Sequence, residues 1–336
     1  MWKIKGLGQM DATKIRLNVI LLNYKTPDLS IACLRSMASQ ITNNIKVIIV
    51  DNASGDGSAE RIRKEIKNNH WQNWASVIES KSNGGFAAGN NLGIRSSRAD
   101  AYILLNSDTI VRDGLFTELA KAMHANPNAG LISPAMFDEQ GNASDSAFRN
   151  ISPISELLRG ASLGVLDRIM PNHTLPWPKE INSNASSFPD WVGFACVLIR
   201  HDVLEMVGYL DEGFFMYYED VDYCRRVRAH GWEIMRWPSA QIVHFLGGSS
   251  GMSSKHDQKK RAPLYYYLSR SRYFIRYYGR TGLLAANLCW TLGMFLGGLR
   301  NTLMRRKSNH RTGEFLGNWS GFLQSNSLVR QICSSN

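Results

Sequence analysis

Cysteine is scarce in this chain of 336 residues: Cys33, Cys196, Cys224, Cys289 and Cys333 are odd in number and widely scattered, and no two form a CxxC pair. That spacing argues against a disulfide framework and against a structural zinc site, and it fits a reducing compartment. Apolar signal-peptide character is also missing. The opening stretch MWKIKGLGQMDATKIRLNVILLNY carries no h-region before its first strand-like run, so secretion is not expected. Internal repeats and low-complexity segments are absent too. Acidic residues are nearly missing from one region, since Asp257 stands alone among the Lys and Arg residues between Lys255 and Arg311. The formal net charge of +11 is therefore concentrated there, while the remainder is close to balanced. A basic tail of this kind suits an anionic partner, either nucleic acid or phospholipid headgroups. The apolar content of 44% argues against wholesale disorder. The length suffices for one large α/β domain or two smaller ones.

What is present is a strand–helix rhythm. NVILL (Asn18–Leu22), KVIIV (Lys46–Val50), SVIE (Ser76–Glu79) and AYILL (Ala101–Leu105) have the length and apolarity of buried strands. Helical patterns fall between them at Leu29–Ser39, Ser58–Lys67 and Phe86–Ser97. This alternation predicts a mostly parallel sheet with both faces covered, and such sheets place ligand sites at the carboxyl ends of their strands. Polar segments follow three of those ends: NYKTPD, DNASGDGS and NSDT. Further on come a helix over Gly114–Ala125, a loop rich in Pro and Asn near Pro171–Asn184, and a second apolar strand, GFACVLIR.

Several short motifs have both a chemical and a structural reading. Asp51, opening DNASGDGS, can accept hydrogen bonds from a base or a ribose, yet the same residues are turn formers and Ser58 can cap a helix. In NGGFAAGNNLGI the glycines at 84, 85, 89 and 93 do not make GxGxxG; they allow either a phosphate at backbone N–H groups or close helix–strand packing. Asp108, in NSD, is suited to hold a divalent cation, since such ions use one or two carboxylates plus phosphate oxygens. His244 ends a short strand before a Gly-rich loop. In FFMYYEDVDYCRRV, Glu219, Asp220 and Asp222 crowd behind a wall of aromatics. A helix beginning there would let Asp222 pair with Arg226 on its surface and would favour acids in its first turn. The aromatic wall is not explained by that, and an acid held beside it can serve as a general base.

Taken in order, NYK, VDNASGDGS, NGGFAAGNN, LLNSD, YYEDVDYCRR and VHFLGGSS resemble the inverting family 2 glycosyltransferases of GT-A fold, and among them the bacterial rhamnosyltransferases of cell-surface polysaccharide synthesis. The resemblance runs from about Asn18 to Gly251. It implies an α/β, Rossmann-like, mostly parallel central sheet flanked by helices, with a nucleotide-sugar-binding half over residues 1–110 and an acceptor-binding and catalytic half over 111–251. The composition beyond it adds a basic, amphipathic C-terminal helical extension over 252–336, read as membrane-associating. Asn23, Tyr24 and Asp51 would hold the nucleotide, and Asn83, Gly84 and Asn90 would lie beside the donor sugar. Asp108 matches the second acid of the family's DxD motif, which binds Mg²⁺ or Mn²⁺ on the diphosphate. Asn106 replaces the first acid and so leaves one carboxylate fewer. His244 matches a histidine that completes the metal site in some relatives. Asp220 matches the catalytic base, Glu219 an acceptor-binding acid, and Trp191 and Gly193 the acceptor-side segment. The expected partners are a nucleotide-sugar donor, dTDP-L-rhamnose, and a saccharide acceptor linked to polyprenyl diphosphate. UDP-hexose or UDP-N-acetylhexosamine donors, and a catalytically silent scaffold of the same fold, stand as alternatives.

The tail bears on location. Leu283–Leu299 is at the lower limit for crossing a bilayer. The preceding YYYLSRSRYFIRYYGR interleaves Arg with Tyr and Phe as an interfacial helix does. This predicts peripheral or monotopic attachment to the anionic cytoplasmic face of the bacterial inner membrane, with a single span or an ordinary core helix as alternatives. Elements that would read nucleic acid bases are absent, and no nucleic acid partner is expected.

Overall fold

The computed structural model describes residues 15–176, 185–245, 261–305 and 313–323. The Gly-rich loop after Phe245, the end of the Pro- and Asn-rich loop, and Lys255, Lys259, Lys260, Arg306, Lys307 and Arg311 lie outside the described residues.

The apolar runs become β1 (Leu17–Asn23), β2 (Ile45–Asp51), β3 (Ala75–Glu79) and β4 (Ala101–Asn106), connected by α1 (Pro27–Met37), α2 (Ser58–Asn68) and α3 (Gly85–Ser96). All four strands pair in parallel, in the order β3-β2-β1-β4. Parallel strands are buried on both faces, which is why they read as unbroken apolar runs. The chain continues through β5 (Thr109–Val111), α4 (Leu115–Ala125), β6 (Ala129–Phe137), β7 (Ala143–Ser144), β8 (Ala147–Phe148), α5 (Pro153–Ala161) and α6 (Gly164–Ile169). Then come β9 (Trp191–Val192), β10 (Cys196–Arg200), α7 (His201–Val207), α8 (Glu219–Ala229), β11 (Glu233–His244), α9 (Leu264–Leu303) and α10 (Glu314–Leu323). β10 inserts antiparallel between β4 and β6, and β11 pairs with β6 in parallel and with β5 antiparallel. One nine-stranded sheet, β3-β2-β1-β4-β10-β6-β11-β5 with β7 on β6, therefore runs through both halves of residues 15–245. β5 itself straddles residue 110.

Apolar cores lie on both faces of the sheet. One gathers α1, α2 and α4 over Val19, Leu21, Val47 and Ile103; the other gathers α3, α7 and α8 over Ile20, Ile48, Leu104 and Val197. A third core is built by the C-terminal extension, where Tyr273, Phe274, Leu283 and Ala286 of α9 meet Ile151, Phe214, Tyr218 and Val221. α9 breaks at Gly279, whose φ of +67° favours glycine.

The first half of α9 corrects the expectation of an interfacial helix over Tyr265–Arg280. Tyr267, Arg270, Arg272, Tyr273 and Phe274 are buried within the protein. The guanidinium of Arg270 donates to Glu156 at 2.6 Å and to Asn287 at 2.7 Å, and Arg272 donates to Asp211 at 2.9 Å. These arginines find carboxylates of their own chain, so their charge is spent inside the fold. The second half of α9 lies against α5 with no room for side chains. A Cβ at Gly160 would meet the Trp290 carbonyl, and Cβ atoms at Gly293 and Gly297 would meet the carbonyls of Leu157 and Ala161. The extension is thus a third layer of the protein.

Removing Arg270 leaves Glu156 buried with Arg159 as its remaining ion-pair partner. Loss of one partner from a buried pair typically costs about 3–5 kcal/mol. Arg270→Met is expected to lower unfolding stability by about 3 kcal/mol, measurable as a shifted urea midpoint.

Candidate active site

In a sheet ordered β3-β2-β1-β4, the chain leaves β1 for one side and returns to the other, and the crevice between β1 and β4 is where such sheets bind ligands. Its rim is formed by the residues that follow β1 and β4. Thr26 and Ser107 hydroxyls meet across it at 3.2 Å.

On the β1–β2 side the polar groups are tied to one another. Asp51 accepts from Asn23 Nδ2 at 2.7 Å, from Ser54 Oγ at 2.8 Å and from the Ser54 amide at 2.9 Å. Asn23 Oδ1 accepts in turn from Ser30 Oγ at 2.8 Å. Asn23 and Asp51 are buried, whereas Tyr24 is exposed. The turn-forming reading of DNASGDGS therefore holds in the structure: Asp51 braces the loop. Ser58 is the first residue of α2 and does not cap it; Gly57 stands at the cap position, and Asp56 accepts from the Ser58 amide at 3.1 Å.

The NGG segment is shaped by a neighbour. Asn83 Oδ1 accepts from the Gly85 amide at 3.0 Å and from Asn52 Nδ2 at 2.9 Å. Gly84 precedes the first turn of α3. Gly85 has φ +85°, and a Cβ there would collide with the Phe215 carbonyl, which accepts from the Phe86 amide at 2.7 Å. Gly89 and Gly93 face Leu22 and Ile20, so they serve helix–strand packing. Asn90 is buried, with Nδ2 on the Phe86 carbonyl at 2.9 Å. Sequence reading passed over Asn52 and Asn91. Asn91 bonds the Leu210 carbonyl and Glu212, both at 2.9 Å, and so ties α3 to the loop ahead of α8. Asn52 directly follows Asp51 in the motif, which was the available signal; Asn91 had none.

Across the crevice, β5 and β11 bring His244 beside Thr109, which places His244 Nε2 3.2 Å from Asp108 Oδ1. Both side chains are largely buried. Two neighbouring ligands on an octahedral ion with bonds of about 2.1 Å stand about 3 Å apart, so this pair fits a divalent cation. Imidazole nitrogen suits Mn²⁺ better than Mg²⁺. No group of three or more His, Cys, Asp or Glu is placed to hold a metal ion among the described residues. Asn106 ends β4 two residues before Asp108, and its backbone N–H donates to the Ala195 carbonyl at 2.9 Å.

That contact carries the segment 191–195 to the crevice. Trp191 stacks on Phe148 with centroids 4.2 Å apart and donates its indole N–H to the Arg149 carbonyl at 2.7 Å. The Gly193 amide donates to the Ser146 carbonyl at 3.1 Å, and the Phe194 amide lies against the Asp220 carboxylate. Asn106, the segment 191–195 and Asp220 are thus consecutive neighbours.

The acid cluster has two environments. Asp222 is fully buried and neutralised: Arg226 Nε donates to it at 2.9 Å, the Tyr277 hydroxyl at 2.8 Å, and Arg276 stands 3.4 Å away. Its pair with Arg226 is internal, not on the helix surface, because α9 covers that face. Asp220 is half-buried, and burial pushes its carboxyl up to about 6. Burial, followed by the charge of Asp220, holds Glu219 well above the usual carboxylate range. Its Oε2 is buried without a hydrogen-bond partner among the described residues. A neutral acid beside an ionisable one is an arrangement that separates acid and base roles.

The aromatic wall explains how these acids are held. Tyr217 and Tyr218 both adopt left-handed backbone, φ 68° and 67°, a conformation costing about 1–3 kcal/mol per residue outside glycine. Tyr217 packs on Tyr265 and Tyr266, Tyr218 on Tyr266 and Tyr273, and the Ser269 hydroxyl donates to the Met216 carbonyl at 3.0 Å. The extension clamps the strained turn that delivers Glu219 and Asp220. Gly85→Ala is expected to cost at least about 1–3 kcal/mol from backbone strain alone and to push Phe215 off this turn. Chemical denaturation reads the first effect; a drop in catalytic rate at saturating substrate reads the second.

Comparison with known proteins follows this geometry. Residues 19–180 match the family model described as glycosyl transferase family 2. A low-salt glycan biosynthesis hexosyltransferase of Haloferax volcanii is 29% identical over 68% of this chain and 66% of its own length, so the chain spans just under two thirds of that relative. An N-acetylglucosaminyl-diphospho-decaprenol L-rhamnosyltransferase of Mycobacterium tuberculosis is 28% identical over 83% of this chain and 89% of its own. Among solved structures, a mannosyltransferase of Pyrobaculum calidifontis in complex with GDP-Man and Mn²⁺ superimposes with a TM-score of 0.54, covering 94% of this chain and 88% of the other. At 14% identity that likeness shows the shared GT-A fold.

Proposed function

We propose that this chain, a glycosyltransferase carrying a family 2 domain, moves L-rhamnose from dTDP-L-rhamnose to a hydroxyl of a polyprenyl-diphosphate-linked saccharide, with inversion, at the cytoplasmic face of the bacterial inner membrane. The observation that carries the catalytic part is the carboxyl pair at the start of α8, one member pushed up to about 6 and the other held well above the usual carboxylate range, beside the segment that reaches Asn106. The M. tuberculosis relative, named for a decaprenol-linked acceptor and for rhamnose, supports the choice of sugar and acceptor.

The donor sits in the β1–β4 crevice. Tyr24 is the exposed side chain beside the braced Asn23–Asp51 pair, and it offers a stacking surface to the base. Asp108 and His244 would hold Mg²⁺ or Mn²⁺, which would supply positive charge to offset that on the departing diphosphate. Asp220, once ionised, accepts the proton of the acceptor hydroxyl as that oxygen attacks the anomeric carbon from the face opposite the leaving group. Glu219, protonated, offers Oε2 as a hydrogen-bonding position for the acceptor. Trp191 and Gly193 line the approach.

A base that works as carboxylate is inactive when protonated. Transfer is therefore expected to decline as pH falls through about 6, read from the acid limb of the kcat/KM profile. Asp220→Asn removes the base while leaving the crevice intact. It should lower transfer by about 100- to 10,000-fold, with calorimetric donor affinity unchanged; transfer near the wild-type rate would remove Asp220 from the role. Calorimetry with dTDP-rhamnose, UDP-glucose, UDP-galactose and UDP-N-acetylglucosamine, with and without Mn²⁺, should show metal-dependent binding of dTDP-rhamnose. Asp108→Asn should abolish that metal dependence. Binding of a UDP-sugar instead would replace the donor, and binding of none would defeat the catalytic reading.

A further inference from the structure

Between Arg280 and Arg300 the chain has no charged residue, and the second half of α9 divides these residues cleanly between two faces. Leu283, Ala286, Asn287, Trp290, Gly293, Gly297 and Asn301 turn inward. The outward face carries Leu288 (53% exposed), Leu292 (54%), Phe295 (66%), Leu299 (61%) and Leu303 (76%). Successive steps of three or four residues place these side chains in one stripe along the helix. Soluble surfaces rarely leave a contiguous apolar stripe of this kind in water. Arg280 precedes it, Arg300 stands within its last turn, and exposed Arg305 follows it.

We propose that this stripe docks on the surface of an anionic bilayer, with the helix lying along the interface. Charge complementarity selects the occupant. A second protein would have to cover five large apolar side chains, whereas a bilayer offers acyl chains to the stripe and anionic headgroups to the arginines at its ends. The helix is long and apolar enough to cross a membrane by length and composition. Its inward face is nevertheless committed to the fold: Asn287 Nδ2 donates to the Asn318 carbonyl of α10 at 3.2 Å, and its Oδ1 accepts from buried Arg270. A helix whose polar inner face is engaged by α5 and α10 can present only its outer face to lipid. The site that docks is thus the second half of α9, in place of the Tyr- and Arg-rich first half. The choice of an anionic membrane rests on the lipid-linked acceptor proposed above; the stripe itself does not depend on it.

The test is flotation of the full chain with vesicles of phosphatidylcholine alone or with phosphatidylglycerol, comparing wild type with L288E/L292E/F295E. These side chains are exposed, so the variant is expected to keep the wild-type circular dichroism spectrum and melting temperature. The wild type should float with phosphatidylglycerol vesicles and the variant at least tenfold less. Equal flotation of both, or none by the wild type, overturns the proposal. So does sedimentation showing a wild-type dimer that the variant dissolves while neither binds vesicles, since the stripe would then be a self-association face. Donor binding by calorimetry, measured on the same samples, keeps failure of membrane docking distinct from failure of the transferase reading.

Discussion

The buried ion pairs between α9 and the loop ahead of α8 are what the rest of the site depends on. Asp211 accepts from Arg272 and from Arg276, and Arg276 also stands against Asp222. Asp211 is held below the usual carboxylate range: burial pushes it up, but the Gly213 amide and the two guanidinium groups outweigh that. Removing Asp211 would leave the buried Arg272 guanidinium without the carboxylate it pairs with, so the pairs are strict about geometry even where their net contribution to stability is small. They fix the turn 211–218 on one side, while Asn91 and the Phe86 amide fix it on the other. Two tyrosines in left-handed backbone are tolerated in between because the loop has nowhere else to go.

That clamp links the two sides of the crevice. The Phe215 carbonyl touches the start of α3, on the side where the nucleotide sugar is proposed to lie, and five residues later Asp220 meets the segment proposed to serve the acceptor. A shift of this turn would move both at once. It also accounts for the difference among the three acids. Asp222 faces α9 and is matched by two arginines and a tyrosine. Asp220 and Glu219 face the other way, with no cationic partner among the described residues, and burial raises both. A single helix start thereby supplies one carboxylate paired with arginine and two that hold protons more tightly.

Much of the sheet was legible because burial on both faces leaves a direct trace, an apolar run of strand length. The ends of β1, β2 and β4 were legible for the same reason, since polarity returns where burial stops. The insertion of β10 between β4 and β6 was not, because antiparallel pairing with a distant strand needs no local signal. The C-terminal extension misled for a physical reason: Arg interleaved with Tyr looks alike whether the cations face headgroups or carboxylates. Which of the two applies depends on Glu156, Asp211 and Asp222, none of them near Arg270 in sequence.

The sequence by itself determined the strand–helix rhythm, an ordered series of motifs resembling those of family 2 transferases and the crowding of acids at Glu219–Asp222, because each strand, helix and motif is written in a short local stretch. Only the tertiary structure decided that Asp108 meets His244 across 136 positions, that Asp51 braces a loop, that Asp222 is neutralised while Asp220 is not, and which face of α9 is left to the outside. Ion pairing, desolvation and close packing depend on distances through space, and one-dimensional spacing leaves those distances unset.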